Sequence, residues 1–420
     1  MTNTILSTYL TLLILIFMSC SSQQSTDQQS ATIEESFAEG TYGYDLDFLQ
    51  SNNISVHELV NESGARAMIV PGWQGRVMTS TSAGLKGKSY GWINYDFISS
   101  GERNTQFNPY GGEERFWLGP EGGPFSLYFA KGAEQVFDNW KVPEVLDTDP
   151  FDVEDKGDAY IRLKKVFSIE NASGKKLDLE VSRAVSILNE DQVWKTLNIN
   201  DLGTRPQSIA FESHNTIVNV GEETWESDYG FVSIWLLCMF NPSEQGVVFT
   251  KLNENQIDPS AAVKDDYFGK VPDDRLKVVD GVVYFKVDGK QRSKIGISPA
   301  SASDYVGSYD PIDGILTVVW YEKLAANLPY VNSQWGEQDN PLRGDAINSY
   351  NDGPNETGEA MGPFYEIESS SPAALLSPGD KLEHKQRVYH IKAGEEELEK
   401  IISQLFNTSV SKINNVFNVD

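Results

Sequence analysis

The sequence predicts an all-β sandwich closed by one short C-terminal helix, and three observations predict it. Runs such as Tyr160–Ile169 and Leu177–Ile187 alternate apolar and polar residues with the two-residue period of a half-buried strand. Short β-rich runs recur along the chain between clusters of Gly, Pro, Asn and Asp, the residues that turns demand. Amphipathic helical spacing is almost confined to residues 394–406. With 420 residues, 40% of them hydrophobic, the chain can bury a large core, and a single domain of this size is most easily all-β.

In chain order, Thr2 to Ser19 carry no charged side chain and include the apolar run Tyr9–Met18, long enough for a signal h-region. A spanning helix needs about 20 apolar residues, so this run is short for one. Phe17-Met-Ser-Cys20 resembles the lipobox of bacterial lipoproteins, which implies a signal peptide over 1–20, lipidation of Cys20 and a flexible tether over 21–35. The expected location is the bacterial cell envelope, in the periplasm or at the surface, with the membrane touched through the lipid anchor only. An ordinary secretory signal is the alternative. Residues 36–420 read as one domain, without repeats or a later linker. Its strands are expected at Met68–Pro71 and Arg76–Thr79, around the turn 72–75, then at the two alternating runs above. Val247–Leu252, Val282–Val287, Ile315–Tyr321 and Gln386–Lys392 follow, and the helix 394–406 begins with three acidic residues in its first turn.

Charge and cysteine usage narrow the partners. A formal net charge of −27 excludes nucleic acid, which such a surface repels. Cys238 is the only cysteine besides Cys20 and reads as a buried structural thiol. The four histidines, His57, His214, His384 and His390, are scattered without zinc spacing, so no metal is expected in the site. The acidic stretches Asp147–Asp155, Asp265-Asp266 and Asp273-Asp274 read as solvated loops, with a surface calcium site as the alternative. No phosphate-binding glycine motif occurs, so no nucleotide cofactor is expected.

The block Phe107–Gly123 holds two glycine pairs, three carboxylates, an arginine and a tryptophan in seventeen residues. Aromatic faces stack on sugar C–H surfaces, and carboxylates, amides and guanidinium groups read hydroxyls in defined directions. Asn108, Glu113, Arg115, Trp117 and Glu121, with Trp73 and Trp140 nearby in sequence, are therefore candidate contacts to a mono- or oligosaccharide. Arginine also recognises carboxylate and sulfate, which keeps anionic sugars among the candidates. A solvated turn uses the same residue types. The polar stretch Asn340–Pro354 reads as a loop over the same mouth, with Arg343, Asp345 and Asn348 as further candidates.

Three segments carry a family resemblance. Gly75–Thr79 is similar to the Gly-Gly-Arg-hydrophobic turn near the start of galactose mutarotase and other aldose 1-epimerase-like proteins. Glu212-Ser-His-Asn-Thr-Ile-Val-Asn219 resembles the strand that carries their catalytic histidine. Gly362–Asp380 resembles their late segment, in which a glutamate precedes a Leu-x-Pro-Gly-acidic turn. The matches keep the family's order over roughly residues 68 to 392, and the 107–123 block is most like that of uncharacterised Bacteroidetes-type lipoproteins. The resemblance implies a galactose mutarotase-like supersandwich of antiparallel strands, with His214 as acid and Glu368 or Glu366 as base in opening and closing a sugar ring. Glu366 and Glu368 are two residues apart and share one side of a strand, where mutual repulsion raises a pKa. Such a pair also suits a glycoside hydrolase or polysaccharide lyase. This sequence departs from the pattern in having no histidine between Arg76 and His214, which leaves a glycan-binding lipoprotein open.

Overall fold

The computed structural model describes residues 36–199, 202–253, 262–325, 327–354 and 358–418. The proposed signal peptide with Cys20 and the tether 21–35 lie outside the described residues, and Phe37–Asp420 form one compact unit.

Two antiparallel sheets face each other. The larger has ten strands, in spatial order Leu276–Val279, Val282–Lys286, Val247–Lys251, Tyr305–Asp310, Ile315–Tyr321, Lys381–Lys392, Gln207–Asn219, Lys176–Ile187, Tyr160–Glu170 and Asp152–Gly157. The smaller has six, in order Val263–Lys264, Ser293–Ile297, Ile347–Asn351, Tyr365–Ser370, Ser233–Phe240 and Arg115–Gly119. A separate three-stranded sheet is formed by His57–Val60, Arg66–Val70 and Arg76–Thr81. The all-β expectation is met, and each anticipated strand is present.

Alternation decides which side chains enter the sandwich. On Lys176–Ile187, Leu177, Leu179, Val181 and Val185 are fully buried while their neighbours are partly exposed. The Ser233–Phe240 strand is buried on both faces, which explains why its sequence reads as a continuous apolar run. A polar network crosses the interior. Arg183 donates to Glu114 at 2.6 Å and to Asn215 at 2.7 Å, and Gln386 donates to Glu114 at 2.6 Å and to the Cys238 thiol at 3.1 Å. Burial pushes that thiol well up, in keeping with a structural role.

The C-terminal helix runs Glu395–Phe406, with Gly394 at its N-cap and Leu398, Ile401, Ile402 and Phe406 fully buried. It covers part of the ten-stranded sheet's outer face, where Phe406 meets Phe249 edge-on at 4.8 Å. A further helix, Val410–Asn415, follows, and helices at Tyr42–Ser51, Tyr95–Ser100 and Glu190–Leu197 add to those expected. Among the described residues no helix is long and apolar enough to cross a membrane.

Two expectations are corrected. The 340–354 stretch is not only a loop: Ile347–Asn351 is an inner strand of the six-stranded sheet. Its polar inner residues are satisfied there, since Ser349 donates to the Glu366 carbonyl at 2.7 Å and Asn351 to the Gln291 carbonyl at 2.8 Å. The acidic stretch 147–155 is likewise divided. Asp147 is buried and bound by Asn108, whereas Asp152, Glu154 and Asp155 lie on an exposed edge strand whose pairing is irregular between Val153 and Asp155. Among the described residues no three His, Cys, Asp or Glu side chains gather as metal donors.

Candidate functional site

The strand Tyr365–Ser370 divides its side chains between two environments. Ser369 faces the ten-stranded sheet and bonds His384 at 2.8 Å and Gln386 at 2.7 Å, so Glu366 and Glu368 emerge on the sheet's other, outer face. Glu366 lies opposite Tyr350 and Met239, and Glu368 opposite Asn348 and Leu237. Neighbouring strands supply their partners. Arg115 donates to Glu366 at 2.5 Å; Lys294 at 3.0 Å and the Trp235 indole at 2.9 Å both donate to Glu368. Arg115, Glu366 and Glu368 are buried, while Lys294 and Glu121 are partly exposed, so this charged nest is recessed and reached past the last two.

Aromatic rings wall the nest. Trp117 packs edge-on to Trp235 at 5.6 Å, and the Arg115 guanidinium lies 4.7 Å from the centre of the Trp117 ring. Trp140 stacks on Tyr128 at 6.1 Å and on Trp335 at 6.3 Å, and Phe107 meets both Trp117 and Trp140 edge-on. Trp117 and Trp235 stand on strands of the six-stranded sheet, and two loops carry Trp140 and Trp335. They approach so closely that a Cβ on Gly122 would sit 2.3 Å from the Gln334 carbonyl oxygen. The Gln135 side chain ties them, accepting from the backbone N–H groups of Gly123 at 2.8 Å and Gly336 at 2.7 Å. This glycine pair thus serves loop packing. In the other, Gly112 has φ +122° and leaves room for the Arg76 side chain.

Burial sets the electrostatics. It pushes the Glu366 carboxyl up to about 7 against the pull of Arg115, and Glu368 adds to the rise. The Glu121 carboxyl also rises to about 7, through burial opposed by Lys294 and reinforced by Glu368. For Lys294 burial acts downward, but Glu368, Glu121 and Glu366 outweigh it and hold the ammonium above its ordinary value. Beside it, burial and then Asp345 raise the Tyr267 hydroxyl, which bonds Asp345 and accepts from Asn348 at 3.3 Å. Among the described residues, the buried Arg115 Nε, Trp117 Nε1 and Glu368 Oε1 atoms have no hydrogen-bond partner.

Of the residues singled out from sequence, Arg115, Trp117, Glu121, Trp140, Glu366 and Glu368 come together here, and Asp345 and Asn348 adjoin Lys294. Others do not. His214 belongs to Gln207–Asn219, where Ser213 and Asn215 point inward to Glu114 and Arg183, so alternation turns His214 to the outer face of the opposite sheet. There it sits 3.4 Å from Glu383. The positions across from Glu368 and Glu366 on the strand they share with Trp235 are Leu237 and Met239, which cannot transfer a proton. Glu113 is fully buried inside the sandwich, accepting from Ser80 at 2.8 Å and lying 2.9 Å from His390. Asn108 holds Asp147 at 2.6 Å, and Trp73 stacks on Tyr110 at 4.0 Å beside the buried Arg76. Arg343 is exposed on a loop whose backbone pairs with Tyr330. Sequence reasoning missed Lys294, Trp235, Tyr267 and Trp335. A signal for Lys294 was present, since it alternates with Ile295 and Ile297 in a short run.

Among curated proteins none matches the chain. Solved structures to which it is similar include a putative aldose 1-epimerase from Escherichia coli K12, at 11% identity, covering 81% of this chain and 100% of that one with a TM-score of 0.45. A galactose mutarotase-like protein from Lactobacillus casei is similar at 12% identity, 80% and 100% coverage and a TM-score of 0.45. A putative mutarotase from Salmonella typhimurium is similar at 10% identity, 82% and 99% coverage and a TM-score of 0.41. The family of unknown function DUF6786 matches residues 40–417, and the chain belongs to that family.

Proposed function

We propose that this chain is a carbohydrate-active protein whose recessed nest exchanges protons with a sugar at its anomeric centre. One observation carries the reading: two carboxyls, Glu121 and Glu366, both raised to about 7, share a tryptophan-walled site with the Lys294 ammonium. A carboxyl of that pKa is about half protonated at neutral pH, so one can serve as acid while the other serves as base. The carboxylate takes the proton of the anomeric hydroxyl as the C1–O5 bond breaks toward O5, and the carboxylic acid delivers its proton to O5. Rotation about C1–C2 and the reverse transfers close the ring on the other face. The Lys294 ammonium offsets part of the negative charge that the carboxylates carry in the site.

Proton NMR of freshly dissolved sugars mixed with the purified chain tests this. Glu366→Gln and Glu121→Gln should each slow anomer equilibration about 100-fold or more, while His214→Ala should leave it unchanged. Wild-type rates in both glutamate variants would remove the assignment. A second reading, glycan binding without turnover, is favoured by the ion pairs that hold Glu366 and Glu368 and by the apolar Leu237 and Met239 opposite them. It predicts no conversion by the wild type, and lost affinity in Trp117→Ala.

Envelope anchoring through Cys20 is part of the same proposal, supported by the sequence Phe17–Cys20. Cys20→Ser should move the expressed chain out of the membrane fraction, and an unchanged distribution would exclude the lipid anchor.

A further inference from the structure

The aromatic wall does not end at the nest. Phe137, 58% exposed, lies on its outer side and is among the most exposed large apolar residues described. It stacks on Trp140 at 6.1 Å and 16°, and Trp140 stacks on the partly exposed Trp335 at 6.3 Å and 25°. Inward, Trp140 is 6.4 Å from Trp117, and Trp117 is 5.6 Å from Trp235, whose indole reaches Glu368. Trp140, Trp117 and Trp235 are themselves buried, so a ligand meets this row of rings at Phe137 and Trp335, and the three ring-to-ring steps of 6.1, 6.4 and 5.6 Å from Phe137 to Trp235 together exceed one pyranose. The outer ring is fixed from behind. Gln106 donates to the Phe137 carbonyl at 2.5 Å, as does the Trp140 backbone N–H at 3.1 Å. An exposed aromatic on an anchored turn loses little freedom when a ligand covers it.

Charge narrows the ligand further. Glu121, Glu366 and Glu368 face two cations, and both cations are committed, Arg115 to Glu366 and Lys294 to Glu368. An anionic sugar would have to compete with these buried carboxyl groups for a cation, which a neutral sugar need not do.

We infer that the site takes an uncharged oligosaccharide, with one unit in the nest and a further unit stacked on Phe137. This rests on the nest being a sugar site, and goes beyond it in length and charge. The test is calorimetric titration of the wild-type chain and Phe137→Ala with glucose, mannose, galactose, maltotetraose, cellotetraose, mannotetraose and tetragalacturonate. The wild type should bind a neutral tetrasaccharide about 10-fold or more tighter than its monosaccharide, the contribution expected of one aromatic stack. Phe137→Ala should abolish most of that advantage and leave monosaccharide affinity and melting temperature unchanged. An equal advantage in the variant, no advantage in the wild type, or preference for tetragalacturonate would each overturn the inference while the sugar reading stands. Absence of binding to every sugar would overturn both.

Discussion

Glu366 is the residue on which most depends, and its titration is measurable apart from any activity. Its carboxyl stands at about 7 in the fold against an ordinary value of 4.5, so the native state holds the proton more tightly than the unfolded chain. Its contribution to stability is complete below about pH 4.5 and is lost as pH rises through 7, a swing on the order of 1–3 kcal/mol. Glu121, also near 7, and Asp45, raised by burial to about 6, act in the same direction. His384, held down to about 3 by burial, acts oppositely and weakens the fold as pH falls below 6.5. Comparing wild type with Glu366→Gln isolates the one group: the variant should gain in relative melting temperature between pH 4.5 and 8. A difference that stays flat, or moves the other way, would contradict the raised pKa. At this scale the sequence told much about identity and little about direction. Arg115, Trp117, Glu366 and Glu368 were recognisable as chemistry-bearing residues, but whether His214 or Glu113 faces a cleft or a core depends on strand register. A shift of one residue reverses the answer.

Among the elements, the C-terminal helix was the most legible, because its acidic first turn and apolar spacing are local signals. Its anchoring can be tested through Phe406, which is fully buried, meets Phe249 and lies where a Cβ on Gly307 would come within 2.9 Å. Phe406→Ala should cost about 3–5 kcal/mol in urea unfolding. A loss below about 1 kcal/mol would mean that the site collapses around the smaller side chain. The Glu190–Leu197 helix carried a readable start in its Asn189 and Gln192 capping box, yet it spans only eight residues and offers little periodicity. The Ile347–Asn351 strand was hidden for the opposite reason. Its Asn and Ser residues look like a loop until the partners that satisfy them, supplied by distant segments, are in view.

For the whole molecule, composition foretold a large β core, and the alternating runs foretold a sandwich. Which of the two outer faces would hold the chemistry was not readable, because polar residues point outward from both sheets. The six-stranded sheet's outer face is set apart by the loops and tryptophans that cover it, and these come from segments far apart in sequence. The charge of −27 belongs to this scale too. Self-repulsion should make the fold salt-sensitive, so raising sodium chloride from 10 to 300 mM at pH 8 should raise the melting temperature. An unchanged value would mean that local ion pairs already balance the field. The margins of the ten-stranded sheet carry a last consequence. At one end runs the acidic, irregularly paired Asp152–Gly157, and at the other Lys277 on Leu276–Val279 reaches the Val416 carbonyl of the C-terminal segment. The acidic, bulged margin offers no straight ladder to a second molecule, so crowding many copies together should not seed fibrils by strand addition at that edge.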